Sequence, residues 1–206
     1  RKLYRWFLYY EINETIEKEI IGPLADIFFN SGYDIKTVLK ALLASDHFFD
    51  QNFRGCMIKN PLELTVGLFR IIEVDQPADS VPIAQYSLWN TIFSKASDQN
   101  MVLGNPPDVA GWTAWYLAPM FHEIWINSAT LPQRAAFIKI VTETGITPSG
   151  STTKVIMDPF KVANLAATPS DINNLVQTVT GLLLPVAPSS EMISGLKELI
   201  NPGLPD

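Results

Sequence analysis

The hydrophobic pattern is helical along almost the whole chain. Apolar residues recur at intervals of three and four, which places them on one face of an α-helix. Capping residues precede several stripes, and Asn60-Pro61 is a strong helix start because asparagine caps a helix and proline suits its first position. The pattern predicts an all-α protein, an irregular, orthogonal bundle of about eight to ten helices. The predicted inward stripes are Leu3, Phe7 and Tyr10; Ile35, Val38, Leu39 and Leu42; Leu64, Leu68 and Ile71; Ile83, Leu88 and Ile92; Leu175, Val179 and Leu182; and Ile193, Leu196 and Leu199.

One long segment, residues 98–127, interrupts the helical pattern. It is rich in tryptophan and proline, and Ser128 after it is predicted to cap the next helix. Loops of this length are usually functional or disordered, and disordered segments are poor in aromatic residues. We therefore expect an ordered loop in which Trp112 is largely buried and Gly111 allows a positive φ or a close backbone approach.

A change in composition divides the chain near its C-terminal quarter. Residues 145–157 are rich in glycine, proline, serine and threonine, which is typical of a flexible connector. The β-like run at 152–157 has no evident partner strand, so no sheet is expected. The predicted organisation is a main helical body at 1–144 that includes the loop, a linker at 145–157, and a small C-terminal helical appendage at 158–206.

Charge and cysteine content exclude several classes of partner and cofactor. The net charge of −6 argues against nucleic acid, because phosphate binding needs a basic surface. Cys56 is the single cysteine, so neither an internal disulfide nor a cysteine-based zinc site is expected. No apolar run reaches the ~18 residues of a membrane helix. We expect no nucleic acid, no membrane span in this segment and no metal site.

Four motifs in a fixed order resemble a known family. They are FFNSGYDIKTVLKALLASDHFF (28–49), IKNPLELTVGLFR (58–70), NPPDVAGW (105–112) and WINSATLPQR (125–134). Across roughly residues 1–140 the chain resembles the C-terminal portion of the bacterial domain-of-unknown-function family 1800. It departs from the family pattern at Thr113, where a proline is expected, and in a longer approach to the last motif.

The resemblance implies a large, mostly helical and usually exported bacterial protein. The expected location is therefore periplasmic, at the cell surface or extracellular. The resemblance implies no cofactor and no catalytic residue, because the family has no assigned activity. Any site must come from the residues themselves.

The tryptophans of the loop are the first candidate site. Trp112, Trp115 and Trp125, with Asn127 beside them, could form a platform for a sugar ring or for an apolar patch on a partner protein. The alternative is that they anchor the loop to the helical body.

Ionisable residues of the loop are the second candidate. Asp108, His122 and Glu123 are weak candidates for a hydrolytic set, since the spacing of the zinc-protease motif is absent. Asp108 also suits a turn, where aspartate accepts local backbone hydrogen bonds. Lys59 and Glu63 are candidates for a polar bridge to the loop, with a solvated pair as the alternative.

Two functional hypotheses follow. The first is a non-catalytic module that binds or assembles with a protein or glycan. The second is part of a hydrolase active site completed by a missing N-terminal region. The first helix, RKLYRWFLYY, is apolar nearly all round, so we expect it to pack against that N-terminal half or to make a homotypic contact.

Overall fold

The computed structural model of the protein describes residues 1–200, and these residues are predominantly helical. The prediction of an all-α fold is confirmed, since the described residues contain isolated β-bridges but no sheet. Two π-helices are continuous with α-helices: Glu17–Ile21 joins α2 to α3, and Ile140–Thr144 extends α7. The α-helices are α1 (Lys2–Phe7), α2 (Glu14–Ile16), α3 (Gly22–Asn30), α4 (Ile35–Leu43), α5 (Pro61–Ile71), α6 (Pro82–Ser97), α7 (Thr130–Lys139), α8 (Pro159–Ala163), α9 (Ile172–Leu183) and α10 (Ser190–Ile200).

The chain divides into two compact units. The first comprises Arg1–Ile58 and Thr113–Ile124, and the second comprises Lys59–Trp112 and Trp125–Asp206. The long loop therefore contributes to both units. The two predicted domain boundaries, at residues 144 and 158, both fall inside the second unit.

The core of the first unit forms around Tyr4 and Leu8, which are 1% and 2% exposed. The Tyr4 hydroxyl and His47 Nε2 are hydrogen-bonded at 3.1 Å, so the polar tip of the buried ring is satisfied. The stripe predicted for this helix is wrong at Phe7, which is 40% exposed. Aromatic residues occupy several faces of this short helix, so spacing alone did not identify the buried one.

The core of the second unit includes residues that the sequence assigned to a linker. Ile146 and Val155 are buried and form an antiparallel β-bridge, with N···O distances of 2.8 and 2.7 Å. Both side chains belong to the main hydrophobic cluster of the unit. Its buried members are Phe69, Ile72, Val74, Leu88, Ile92, Phe137, Val141, Ile146 and Val155.

Candidate functional site

Local turn geometry organises the part of the loop before Trp112. Gly111 has a φ of 98°, which confirms the predicted positive φ. Its N–H donates to the Asp108 carbonyl at 2.9 Å, and the Asp108 carboxylate accepts from the Ala110 N–H at 3.3 Å. Asp108 therefore closes the turn, with its side chain exposed.

The next part of the loop presents an exposed apolar surface in the first unit. The rings of Trp6 and Trp115 lie 5.3 Å apart between centroids, tilted by 60°. Trp6 is 56% exposed and Trp115 is 39% exposed, so both keep much of their area accessible to solvent. Trp6 of the first helix and four loop residues form what we call the loop surface. Its members are Trp6, Trp115, Tyr116, Leu117 and Met120, and all of them are exposed.

Aromatic contacts join the following loop residues to the first helix and to the residues just after it. The Tyr10 ring lies 5.5 Å from that of Phe121, and the Arg5 guanidinium lies over Phe121 at 5.3 Å. The Tyr10 hydroxyl donates to Glu123 Oε1 at 3.0 Å. Hydrogen bonding with Tyr9, burial and the hydrogen bond to Glu123 raise the pKa of Tyr10, so its hydroxyl remains a donor at neutral pH.

His122 is a buried structural link within the first unit. Its side chain is 5% exposed, and its Nδ1 accepts the Ile58 N–H at 3.1 Å. In the neutral ring the proton is therefore on Nε2, which has no hydrogen-bond partner among the described residues. Burial lowers the pKa of His122, and the nearby charge of Glu123 opposes that shift only in part. The ring is thus held neutral as an acceptor.

This protonation state predicts a dependence of stability on pH. The folded pKa of His122 lies below the ordinary value of 6.5, so the unfolded chain binds more protons in the interval between the two. His122 therefore costs no stability above pH 6.5, and the free energy of unfolding should fall as the pH drops below that value.

The variant His122→Asn tests this dependence, because its amide oxygen can replace Nδ1 as acceptor and it does not titrate. Urea unfolding from pH 8 to pH 5 should show the wild-type chain losing stability relative to the variant below pH 6.5. Parallel profiles of the two proteins would contradict the burial of a neutral ring. His47 is present in both proteins and cancels in the comparison.

The three weak catalytic candidates do not lie in one unit. His122 and Glu123 belong to the first unit, whereas Asp108 belongs to the second. The carboxylate of Glu123 is exposed and accepts from Tyr10. Within residues 1–200, no three histidine, cysteine, aspartate or glutamate side chains form a group suited to a metal ion.

The other loop candidates, Trp112, Trp125 and Asn127, belong to the second unit. Trp112 is half-buried, and Trp125 is only 5% exposed. The Asn127 amide oxygen accepts from the N–H groups of Ala129 and Thr130, both at 2.9 Å. Asn127 therefore satisfies the first turn of α7, and the predicted cap at Ser128 is wrong. Asn127 lies one residue before Ser128, and its side-chain carbonyl is within hydrogen-bonding distance of both N–H groups.

Lys59 and Glu63 have separate roles at the start of α5. Glu63 and Asn60 form a reciprocal capping box with two bonds of 2.9 Å. The Lys59 carbonyl accepts from Arg134 Nη2 at 2.7 Å. No ion pair joins Lys59 to Glu63 among the described residues. Arg134, which the sequence analysis missed, thus provides a polar link to the start of α5; its signal was its place at the end of the fourth motif.

A second exposed apolar face, on α6, also escaped the sequence analysis. Tyr86 is 67% and Trp89 48% exposed, and their rings meet edge to face at 5.3 Å. Ile83, predicted to point inward, is 68% exposed. The signal was present, because this helix carries apolar residues on both faces and one stripe cannot accommodate them.

The fold and the site define a predominantly α-helical protein whose long loop carries exposed aromatic residues. The chain belongs to the family described as "Protein of unknown function (DUF1800)", whose model matches residues 1–203. The resemblance inferred from the four motifs is thereby confirmed, and the match continues well beyond them. No curated protein and no solved structure matches the chain. Across residues 1–200, no helix has the length and apolar character needed to cross a membrane.

Proposed function

We propose that this chain is a non-catalytic binding or assembly module of an exported bacterial protein, acting in the periplasm, at the cell surface or outside the cell. The observation that carries the proposal is the exposed Trp6–Trp115 pair, at 5.3 Å between centroids. Large exposed apolar patches mark interaction sites, and truncated tryptophans are among the most costly interface changes.

A protein partner suits the loop surface better than a glycan. Beside the tryptophans, the surface offers Leu117 and Met120, which are 46% and 48% exposed. Aromatic residues and methionine are enriched in protein interfaces, whereas a sugar site needs several convergent polar groups beside its aromatic platform. The contacts of Tyr10 with Phe121 and Glu123 hold the loop in place, which lowers the entropic cost of binding.

The partner favoured here is another part of the same polypeptide. Trp6 and Phe7 are 56% and 40% exposed on the first helix, so this helix can pack against an upstream region as well as against its own unit. A homotypic contact would cover the same residues. Either arrangement makes the loop surface an assembly interface.

The alternative is a hydrolase active site completed by residues outside this chain. Asp108, His122 and Glu123 would supply its ionisable groups. Their present pairings favour binding instead: the Asp108 carboxylate caps a turn, and His122 Nδ1 accepts a backbone N–H. A catalytic base must be within reach of its substrate, and a ring 5% exposed offers little access.

The binding proposal predicts a specific loss of association. Light scattering on the chain alone and with the region encoded upstream of it measures assembly. The double variant Trp6→Ala, Trp115→Ala should weaken that assembly by about tenfold or more, because truncated interface tryptophans commonly cost over ~2 kcal/mol. Trp89→Ala is the matched control, since Trp89 is 48% exposed but lies in the other unit.

A parallel titration with chitotriose, followed by tryptophan fluorescence, tests the glycan alternative. Saturable quenching that is abolished in the double variant would indicate that the loop surface binds a glycan and not a protein. A chain that stays monomeric at all concentrations and binds neither the upstream region nor the sugar would overturn the binding proposal. Hydrolysis of a p-nitrophenyl ester that is lost in His122→Asn would favour the alternative.

A further inference from the structure

Apolar side chains that the sequence predicts to be buried line an open cavity in the second unit. The cavity has a volume of about 630 Å³ and is bounded by α5, α7, α8, α9 and α10. From α5 it is lined by the predicted stripe Leu64, Leu68 and Ile71, and from α9 by the predicted stripe Leu175, Val179 and Leu182. These side chains are partly buried, so the helices bring the two stripes to one space without closing it.

The size and chemistry of the cavity suit a small apolar ligand. Binding sites for small molecules typically occupy roughly 300–1,000 Å³ and are mostly apolar. Ile138 and Leu183 belong to the lining yet are 43% and 41% exposed, so the cavity opens to solvent. An elongated hydrocarbon with a polar end fits such an apolar space with one open side.

The charge beside the cavity is positive. Lys59 is the one charged residue among the described lining residues, and it is exposed. Its carbonyl accepts from the buried Arg134 guanidinium at 2.7 Å. The nearest acid in the sequence, Glu63, uses its carboxylate to accept the Asn60 N–H. No ion pair within residues 1–200 involves Lys59 or Arg134.

We propose that this cavity is a binding site for a single acyl chain with an anionic head, as in a saturated fatty acid, with Lys59 pairing with the carboxylate. The side chains of the two apolar stripes contact the hydrocarbon, and the bound chain covers the part of their surface that the helices leave exposed. The site lies in the second unit and is independent of the loop surface proposed above.

The first test measures how affinity depends on chain length. Isothermal titration of the full chain with octanoate, decanoate and dodecanoate, each below its micelle-forming concentration, gives three dissociation constants. Each added methylene should tighten binding by about fourfold, from ~0.8 kcal/mol per buried CH₂. Absence of binding by all three, or affinity independent of length, would overturn the proposal.

The second test fills the cavity. Val179→Phe places a larger side chain in the lining and should weaken dodecanoate binding by about tenfold or more, the usual effect of steric mismatch in an apolar pocket. Val186→Phe is the matched control, because Val186 is 54% exposed and lies outside the lining. Circular dichroism verifies that both variants fold. If Val179→Phe does not fold, Leu175→Phe makes the same test from the preceding turn of α9. Equal affinity in a folded filling variant and its control would reject the site.

The third test concerns the head group. Lys59→Met should weaken dodecanoate binding about two- to fivefold, as expected for an exposed ion pair, while Lys154→Met, an exposed lysine outside the lining, should not. Dodecyltrimethylammonium should bind more weakly than dodecanoate. Equal binding of the cationic probe, or no effect at Lys59, would overturn the assignment of an anionic ligand. The Trp6→Ala, Trp115→Ala variant should keep its dodecanoate affinity, so failure of either proposal is distinguishable from failure of the other.

Discussion

Replacing Phe137 by alanine should lower the free energy of unfolding by about 3–5 kcal/mol, the usual cost of truncating a buried aromatic residue. The Phe137 side chain is fully buried in the main core of the second unit. Its ring is stacked with that of Phe69, with centroids 6.2 Å apart and planes 25° apart. Alanine would remove those contacts and leave a cavity that the rigid neighbouring helices can only partly refill.

Urea unfolding followed by circular dichroism measures this loss. The control is Phe160→Ala, because Phe160 is a phenylalanine of the same unit that is 77% exposed. Its replacement should change the free energy of unfolding by no more than about 0.5 kcal/mol. Similar losses of unfolding free energy in the two variants would show that the contacts of Phe137 on α7 do not stabilise the core of the unit.

Helix positions could be predicted from local signals, because capping depends on neighbours in the chain. Asn60 closes its capping box where the sequence placed a helix start, and Asp34, just before the predicted stripe of α4, accepts from the N–H groups of Lys36 and Thr37. Each of these interactions spans no more than three residues. Capping interactions of such short range can be predicted from the sequence without knowledge of the fold.

Which face of a helix is buried was harder to predict. The sequence favoured Leu64, Leu68 and Ile71 on α5. Phe69, and Ile72 just after the helix, are the residues fully buried in the core, whereas Leu68 and Ile71 are partly buried and pack against it. This helix is apolar on two faces, and periodicity cannot rank two apolar faces against each other. The predicted stripe also lines the cavity that we propose as a binding site.

The segment predicted as a linker shows the same dependence on distant contacts. Composition alone indicates a flexible stretch at 145–157, since glycine, serine and threonine dominate it. Ile146 and Val155 nevertheless pair with each other and reach the core of the second unit. Two apolar residues in a polar stretch carry too weak a signal to reveal that burial from sequence.

In the candidate site, too, features that depend on local contacts were predictable from the sequence, and features that depend on long-range contacts were not. The turn at Gly111 was predictable because its cause is the glycine itself. That Trp115 meets Trp6, and that Arg134 bonds to the Lys59 carbonyl, depends on chain segments far apart in the sequence. No pattern of sequence spacing predicts either pair. Residue type alone could identify the tryptophans as candidates, but it could not identify their partners.

Replacing Trp125 by alanine should also cost about 3–5 kcal/mol of stability, and it distinguishes an anchor from a ligand platform. Trp125 is 5% exposed, and its carbonyl accepts the hydroxyl of the buried Thr130 at 2.9 Å. The side chain therefore offers little area to a ligand. Trp89→Ala, in the same unit but at 48% exposure, should cost far less.

The measurement is urea unfolding of both variants, combined with the assembly assay used for the loop surface. An anchoring Trp125 predicts a large loss of stability. Assembly should be retained in the fraction of the chain that remains folded, because Trp6 and Trp115, the residues that we propose to form the interface, belong to the other unit. A Trp125→Ala chain of nearly unchanged stability that no longer binds its partner would reverse this assignment. Trp125 would then itself be a ligand-contacting residue.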